Sequence, residues 1–282
     1  MFRSLLFIPG NNPSMIQNAD VYLSDAIIFD LEDAVDLNEK DNARNLVSNY
    51  LENAVTYPKN TILRVNSIDT NYFYKDVELI KSGIVKYILL PKSSVDSINV
   101  LEEQLERIEK EHNLDEVKII ALVESAKSII EIFKIAKHKR VEAILLGAED
   151  LCNDLEIPRT NSGEEILYAR SRVIYACAAN HIISIDTPNT SIDSEEDLEE
   201  DCLNAKRLGM KAKTAIHPNQ LAIINDVFSP STEEINWARR IFDELDKNKG
   251  KSVFSLDGKM IDKPIIVKAE KILEKAKQFK LI

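Results

Sequence analysis

The stretch KIIALVESAKSIIEIFKIAKHKRVEAILLGAED, residues 118–150, decides the fold because it places two short apolar runs on either side of a helix-like segment. The runs 118–123 and 141–146 are rich in Ile, Leu and Val and too short for helices, which is typical of strands buried on both faces of a parallel sheet. The segment 125–138 between them has apolar residues at helical spacing. The stretch therefore predicts one strand–helix–strand unit.

The same alternation continues on both sides of this unit. Eight apolar runs are predicted to be strands, at 4–8, 26–29, 61–65, 87–90, 118–123, 141–146, 181–185 and 213–216. Further helices are predicted after the cap Asn12 and at 36–52, 96–112, 162–180 and 194–208. Eight strand–helix units predict a (βα)8 TIM barrel over residues 1–228, with a doubly wound open sheet as the alternative.

Residues 229–282 continue past the eighth unit as a C-terminal helical extension. Helices are predicted at 232–247 and 264–278, and a flexible loop at 247–251, which is rich in lysine. The dipeptide Asp257-Gly258 predicts a hairpin turn between the loop and the last helix.

Composition narrows the classes of function. The 282 residues include 36 Lys plus Arg and 47 Asp plus Glu, a formal charge of −11, which argues against binding to nucleic acid or to anionic membranes. Neither a long apolar span nor a signal peptide is recognisable, so a cytoplasmic protein is expected. Cys152, Cys177 and Cys202 lack CxxC spacing and are expected to be reduced thiols in or near the core.

Acidic side chains directly follow several predicted strands. The carboxyl ends of barrel strands meet on one face, where active sites form, so these acids are expected to converge. Glu124 and Asp150 follow successive strands and are the predicted ligands of one Mg²⁺, an ion that takes one or two protein carboxylates. The alternative is that each caps the following helix. Asp30, Glu32 and Asp33 are too crowded to be all direct ligands, so some are expected to orient metal-bound water.

Arg64 interrupts the otherwise apolar run 61–65. Arginine is rarely buried unless it is paired, and its planar fork fits a carboxylate through two hydrogen bonds. A cavity with Mg²⁺ and Arg64 would suit a small acid with a keto or hydroxy group beside its carboxylate; the alternative is an internal ion pair with Asp30 or Glu32. His217, after the eighth run, is a further candidate for this face. The usual zinc, nucleotide-loop and nucleophile-elbow motifs are absent from the sequence.

The chain resembles the citrate lyase beta chain and its CitE-like acyl-CoA lyase relatives in the HpcH/HpaI aldolase superfamily. The resemblance covers nearly the whole chain and rests on blocks in a fixed order: RSLLFIPGNNPSMIQ from Arg3, DLEDAV at 30–35, RVN at 64–66, LPK at 90–92, ESA at 124–126, GAEDL at 147–151, DTP at 186–188 and IHPNQ at 216–220. One departure is Ala212, where the family often has a glycine.

The resemblance implies Mg²⁺ bound by Glu124 and Asp150, a substrate carboxylate bound by Arg64, and a second contact of Glu124 with the substrate. Asp262 is the implied acid/base, delivered into the site of a neighbouring subunit on which residues 229–282 pack. The implied assembly is a homotrimer or a hexamer. The alternative for Asp262 is a surface aspartate that caps the last helix.

Supporting roles follow for four further residues. Backbone N–H groups at Ala148 and Glu149, at a helix start, are expected to bind the carboxylate of a keto acid. Glu32 and Asp33 are expected around the metal without binding it directly.

The expected reaction is a retro-Claisen cleavage of a 3-hydroxy acyl thioester, citryl-acyl carrier protein or citryl-CoA, to oxaloacetate and an acetyl thioester. CoA or a CoA-derived carrier would bear the acyl group, and the carrier and transferase subunits of a citrate lyase complex are candidate partners. The alternatives are a citramalyl-CoA or malyl-CoA lyase, a non-catalytic subunit that binds a carrier protein, and a pyruvate-dependent class II aldolase.

Overall fold

Residues 1–225 contain a closed barrel of eight parallel strands in a computed structural model that describes residues 2–247 and 253–282. The strands are β1 Ser4–Pro9, β2 Ala26–Asp30, β3 Thr61–Arg64, β4 Val85–Leu90, β5 Lys118–Val123, β6 Val141–Leu146, β7 Ile183–Asp186 and β8 Ala212–Ala215. Each strand pairs with the next along the chain, and β1 also pairs with β8, where Leu5 lies opposite Thr214. This closure confirms the TIM barrel and excludes the open sheet.

Helices alternate with the strands, as the sequence predicts. They are α1 Pro13–Gln17, α2 Lys40–Asn53, α3 Phe73–Val77, α4 Val95–His112, α5 Ala126–Ala136, α6 Ala148–Asp154, α7 Leu167–Asn180, α8 Glu195–Leu208 and α9 Leu221–Phe228. Short 3-10 turns occupy Leu37–Glu39, Glu78–Ser82, Glu164–Ile166 and Pro218–Gln220.

The strands are apolar on both faces because one face fills the barrel and the other meets the helices. A single buried cluster draws on all eight strands and includes alternate residues of the central ones, such as Ile120 and Leu122 of β5. The intervening Ile119 and Ala121 are also fully buried, although they point to the opposite face. Continuous apolar runs, rather than alternating ones, are the result.

Some predicted boundaries differ from the observed ones for local reasons. The run 181–185 becomes a strand only at Ile183, because His181 has φ +58° and forms the left-handed C-cap of α7. The predicted helix 162–180 begins with a 3-10 turn and becomes α-helical only at Leu167. Helices α3 and α9 have no counterpart among the predicted helices.

Residues 226–282 form a second compact unit. It contains α10 Thr232–Lys247, β9 Phe254–Leu256, β10 Lys259–Ile261 and α11 Lys263–Gln278. The antiparallel hairpin β9–β10 turns at Asp257 and Gly258, whose φ values of +50° and +73° are those of the predicted turn. The predicted loop 247–251 lies, after Lys247, outside the described residues.

Two expectations from composition can be compared with the structure. Cys152, Cys177 and Cys202 are free and buried, as expected, and burial raises the pKa of Cys177 and Cys202 to about 12. Across residues 2–247 and 253–282, no helix combines the length and the apolar character needed to cross a membrane.

Candidate active site

A cavity of about 380 Å³ lies at the carboxyl ends of the barrel strands. Its apolar and small lining residues include Phe7, Leu122, Leu145, Gly147, Ala148 and Thr187, and its charged ones are Asp30, Asp33, Arg64, Glu124, Glu149 and Asp150. These charged residues come from the ends of four strands, because all strands of the barrel point the same way.

Arg64 ends β3 with its guanidinium among three carboxylates. Its Nε lies 2.9 Å from Oδ1 of Asp30, and its Nη2 lies 2.7 Å from Oε2 of Glu32 and 2.6 Å from Oδ2 of Asp33. These are ion-pair distances, yet within the described chain neither Nε of Arg64 nor Oε2 of Glu32 has a hydrogen bond of good geometry. The ion pair considered above is present, and it leaves the guanidinium with donor capacity for a substrate carboxylate.

The turn after β2 is shaped by Asp30. Its Oδ1 accepts the N–H of Glu32 at 2.8 Å and its Oδ2 accepts the N–H of Ala34 at 3.3 Å, which is the usual way in which aspartate stabilises a turn. Lys40 adds hydrogen bonds from Nζ to the carbonyls of Leu31 and Glu32, at 2.9 and 2.6 Å. The turn thereby holds the Glu32 carboxylate against Arg64.

Glu124 follows β5 and does not cap α5. Ser125 takes that role, because its Oγ accepts the N–H of Ser128 at 3.2 Å. Glu124 Oε1 instead accepts the N–H of Lys92 at 2.6 Å, from a backbone with φ +49°. Gly147 leaves room for this carboxylate, since a Cβ at that position would lie 2.7 Å from Cβ and 2.9 Å from Oε2 of Glu124.

Helix α6 brings Asp150 to the same cavity. The helix starts at Ala148, directly after the N-cap Gly147, which has no side chain. The N–H of Ala148 nevertheless donates to Oγ1 of Thr187 at 3.2 Å, so it already has an acceptor within the chain, and binding of a keto acid by Ala148 and Glu149 stays a prediction. Asp150 is exposed in the first turn and does not form a side-chain cap. Glu124 and Asp150 thus line one cavity from adjacent strands. Their joint binding of one ion stays a prediction.

Carboxylates outnumber cations around the cavity. Five of them line it, and Arg64 is the one cation among the described lining residues. Burial raises the pKa of Glu124 to about 7, the pKa of Glu32 to about 8, and the pKa of Asp30 as well, although Arg64 lowers all three. We call the set Arg64, Asp30, Glu32, Asp33 and Glu124 the acidic group.

The acidic group fits a divalent cation. Crowded carboxylates resist ionisation until a positive charge compensates them, and hard oxygen donors suit Mg²⁺. The described chain has no set of three or more His, Cys, Asp or Glu side chains arranged to hold a metal. Two carboxylates are an ordinary protein contribution to a Mg²⁺ site, because water and substrate supply the remaining ligands.

Two further candidates have structural roles in the described residues. Asp262 belongs to the C-terminal unit and is the N-cap of α11, with Oδ1 accepting the N–H of Ile265 at 3.4 Å. His217 caps a 3-10 turn, with Nδ1 accepting the N–H of Asn219 at 3.2 Å, and its neighbour Ile216 lines the cavity. Capping uses only one carboxylate oxygen of Asp262, through a long hydrogen bond, and is therefore compatible with an acid/base role. That role stays a prediction.

Sequence reasoning misses a second set of buried charges, which we call the balanced cluster: Arg170 of α7, Asp186 of β7, Asp201 of α8 and Lys213 of β8. Lys213 Nζ donates to Asp186 at 2.7 Å and to Asp201 at 2.6 Å. Arg170 binds both oxygens of Asp186 at 2.9 Å and one oxygen of Asp201 at 2.5 Å. A signal was available, because Lys213 is a charged residue at the start of the predicted strand 213–216.

Comparisons with known proteins identify the family of this chain. The family model HpcH/HpaI aldolase/citrate lyase matches residues 3–218. The citrate lyase subunit beta of Leuconostoc mesenteroides subsp. cremoris is 34% identical over 281 residues, 97% of this chain and 93% of the relative. A (3S)-malyl-CoA thioesterase of Cereibacter sphaeroides (strain ATCC 17025 / ATH 2.4.3) is 33% identical over 279 residues, 98% of this chain and 94% of the relative.

A solved structure extends the match to three dimensions. CitE of Mycobacterium tuberculosis, in complex with magnesium, acetoacetate and coenzyme A, is 26% identical to this chain, with a TM-score of 0.79 and coverage of 97% of both chains. The family match covers all eight barrel strands, and the relatives cover the C-terminal unit as well. This chain therefore belongs to the HpcH/HpaI aldolase/citrate lyase family.

Proposed function

We propose that this chain is a Mg²⁺-dependent carbon–carbon lyase that cleaves citryl-CoA or citryl-acyl carrier protein to oxaloacetate and an acetyl thioester. The observation that carries the proposal is the cavity in which Arg64 faces an excess of carboxylates. The citrate lyase relative and the CitE complex with magnesium and coenzyme A support it.

Different residues of the acidic group bind the substrate, the metal and the surrounding water. Arg64 holds a carboxylate of the substrate, because its Nε lacks a well-aligned partner in the described chain. Glu124 contacts the substrate beside the metal, and Glu32 and Asp33 orient water around it. When bound by Glu124 and Asp150, Mg²⁺ supplies a Lewis acid that lowers the pKa of the substrate hydroxyl.

The start of α6 binds the product acid. The N–H of Glu149 faces a carboxylate at the positive end of the helix, whereas the N–H of Ala148 already donates to Oγ1 of Thr187 at 3.2 Å. This places the keto acid between α6 and Arg64.

Asp262 of the partner subunit moves the proton. It removes the proton from the substrate hydroxyl, and the carbon–carbon bond breaks as that oxygen becomes the keto group of oxaloacetate. The bonding electron pair passes to the acetyl thioester as an enolate. The protonated carboxyl of Asp262 then returns the proton to the enolate carbon, so that atoms and charge balance and the aspartate is regenerated.

The proposal is tested with purified chain, Mg²⁺ and three thioesters. Citryl-, citramalyl- and malyl-CoA would yield oxaloacetate, pyruvate and glyoxylate respectively, and we expect the fastest release from citryl-CoA. Glu124→Gln should abolish cleavage, whereas Glu103→Gln, an exposed acid on α4, should retain it. Binding of a carrier protein without release of any keto acid would instead identify a non-catalytic subunit.

A second candidate function is favoured by the Cereibacter sphaeroides relative, which is named as a malyl-CoA thioesterase. Hydrolysis would release free CoA and intact malate, without glyoxylate. Cleavage of malyl- or citramalyl-CoA as a lyase would release the keto acid with acetyl-CoA. Quantifying free CoA and keto acid in the same assay separates these outcomes.

The proposed site is shared between subunits of a cytoplasmic homotrimer or hexamer, in which residues 229–282 pack on a neighbour. Candidate partners are the carrier and transferase subunits of a citrate lyase complex. Subunit exchange tests the sharing: inactive Asp262→Asn chains are mixed with inactive Glu124→Gln chains. Asparagine caps helices as well as aspartate does, so α11 should stay intact. Recovery of activity supports shared sites, and demonstrated exchange without recovery contradicts them.

A further inference from the structure

Thr187 is a cavity residue whose hydroxyl hydrogen has no acceptor in the described chain. The side chain is fully buried and lies in the cavity wall beside Ala148. Its Oγ1 accepts the N–H of Ala148 at 3.2 Å. A threonine hydroxyl has one donor and two acceptor positions, so this bond leaves the donor uncommitted. A buried donor of this kind is costly unless a ligand accepts from it.

The balanced cluster fixes the backbone of Thr187. Lys213 Nζ has three donors, and they are used on Asp186, on Asp201 and, at 2.7 Å, on the carbonyl of Thr187. Thr214 adds a hydrogen bond from Oγ1 to the carbonyl of Asp186 at 3.2 Å. The strand end that carries Thr187 is therefore held from two sides.

Stability alone does not account for this cluster. Burying two ion pairs carries a desolvation cost that their attraction roughly offsets, and apolar replacements of whole pairs are often tolerated. What an apolar replacement could not supply is the donor from Lys213 to the Thr187 carbonyl. What the cluster specifically provides is a fixed orientation of the cavity wall at Thr187.

We propose that Thr187 donates a hydrogen bond to the carboxylate beside the keto group of the product acid, and that Lys213 is the positioning residue that sets it. This inference rests on the proposed function. It does not depend on which thioester is cleaved, because oxaloacetate, pyruvate and glyoxylate share this carboxylate.

The first test measures binding of oxaloacetate, pyruvate and glyoxylate in the presence of Mg²⁺ by titration calorimetry. Thr187→Val keeps the shape and removes the donor, together with the acceptor of the Ala148 N–H. The Kd of the tightest of the three should therefore rise about 10- to 100-fold, as for the loss of a hydrogen bond to a charged group. Thr187→Ser restores the hydroxyl and should return the Kd to within about threefold of the wild-type value.

The matched control is Thr61→Val. Thr61 is a buried threonine at the opposite end of β3 from the cavity, and its hydroxyl has no hydrogen-bond partner among the described residues. Its replacement should leave the Kd unchanged. An unchanged Kd in Thr187→Val, with tight binding by the wild type, overturns the inference and leaves the proposed function standing. Failure of the wild type to bind any of the acids overturns both.

The second test separates positioning from stability. Lys213→Met with Asp201→Asn removes one charge of each sign, so Arg170 and Asp186 remain a neutral pair. We expect a folded protein whose urea midpoint stays close to that of the wild type, with oxo-acid affinity about tenfold lower. Wild-type affinity in the folded double variant would contradict the role of Lys213. If this variant does not fold, the Thr187 series still decides the donor.

Discussion

The balanced cluster is buried between two strands and two helices of the barrel, and most of the acidic group is buried at its strand ends, yet the charges of the two sets are compensated in opposite ways. In the balanced cluster, two cations face two carboxylates. Burial opposes ionisation there, but Lys213 and Arg170 lower the pKa of Asp201, and the two aspartates raise the pKa of Lys213. In the acidic group, burial prevails and raises the pKa of Glu124 and Glu32.

The difference distinguishes a completed structure from a binding site. Buried charges that pair with each other need nothing further from solvent or ligand. Carboxylates that share one arginine remain short of positive charge, and a divalent cation supplies it. The same fold thus holds one charge set that orients the wall and one that is completed by its ligands.

The largest expected effect is the loss of activity on changing a residue of the acidic group. Glu124→Gln keeps the size of the side chain and removes its charge, so cleavage should fall by at least about 10³-fold, since metal stabilisation of developing charge is worth several kcal/mol. The thermal midpoint of the metal-free protein should not fall. Differential scanning fluorimetry with and without Mg²⁺ checks this, and Mg²⁺ should stabilise only the parent. An equal Mg²⁺ shift in the variant would remove Glu124 from the metal site.

The next largest effect is on the stability of the balanced cluster. Lys213→Met alone leaves one arginine for two buried aspartates, and breaking a buried pair in this way costs about 3–5 kcal/mol of unfolding free energy. Urea denaturation measures the loss. The double variant with Asp201→Asn should recover most of it. A Lys213→Met variant as stable as the parent would show that Lys213 is not needed to compensate the two buried aspartates.

A smaller effect is expected from Gly147→Ala. The added methyl group would lie 2.7 Å from Cβ of Glu124, and such overpacking costs about 1–3 kcal/mol. The backbone at this position has φ −95°, so the cost comes from contact and not from backbone strain. Because the displaced side chain is a proposed ligand, Mg²⁺ affinity should fall along with stability. Calorimetric titration of Mg²⁺ gives the first quantity and urea denaturation the second.

The smallest effect is a pH dependence with opposite signs in the two groups. Glu124 and Glu32 have pKa values raised in the folded state, so protein stripped of divalent ions should lose stability as pH rises from about 5 to 8. Added Mg²⁺ should suppress that loss.

Asp201 has the opposite dependence. Its folded-state pKa is lowered, so its contribution is present above its ordinary value and is lost as pH falls below about 4. Urea midpoints are measured from below pH 4 to pH 8 for the parent and for Asp201→Asn and Glu124→Gln. The loss of stability at low pH should be absent in Asp201→Asn, and the loss at high pH should be smaller in Glu124→Gln. A monotonic rise of metal-free stability from pH 5 to 8 would contradict the assignment for the acidic group.

The sequence by itself determined the barrel, because the relevant signals are local. Short apolar runs, a helix cap such as Asn12, and the Asp257-Gly258 turn depend on neighbouring residues only. The candidate residues at strand ends followed from the same reasoning, since parallel strands bring their carboxyl ends to one face. Arg64 was recognisable as a charge within an apolar run.

Only the tertiary structure decided which side chains satisfy one another. Ser125 rather than Glu124 caps α5, and Glu124 is held by the N–H of Lys92, 32 residues away in the chain. The contact of Lys213 with Asp186 joins residues 27 apart, and the bond between Thr187 and Ala148 joins residues 39 apart. Residues this far apart in the chain are not related by the period of a helix or a strand, so no sequence pattern could predict these contacts. The packing of every surrounding element sets how deeply such charges are buried and which partners they meet. It therefore decides whether they pair with each other or need a ligand for compensation.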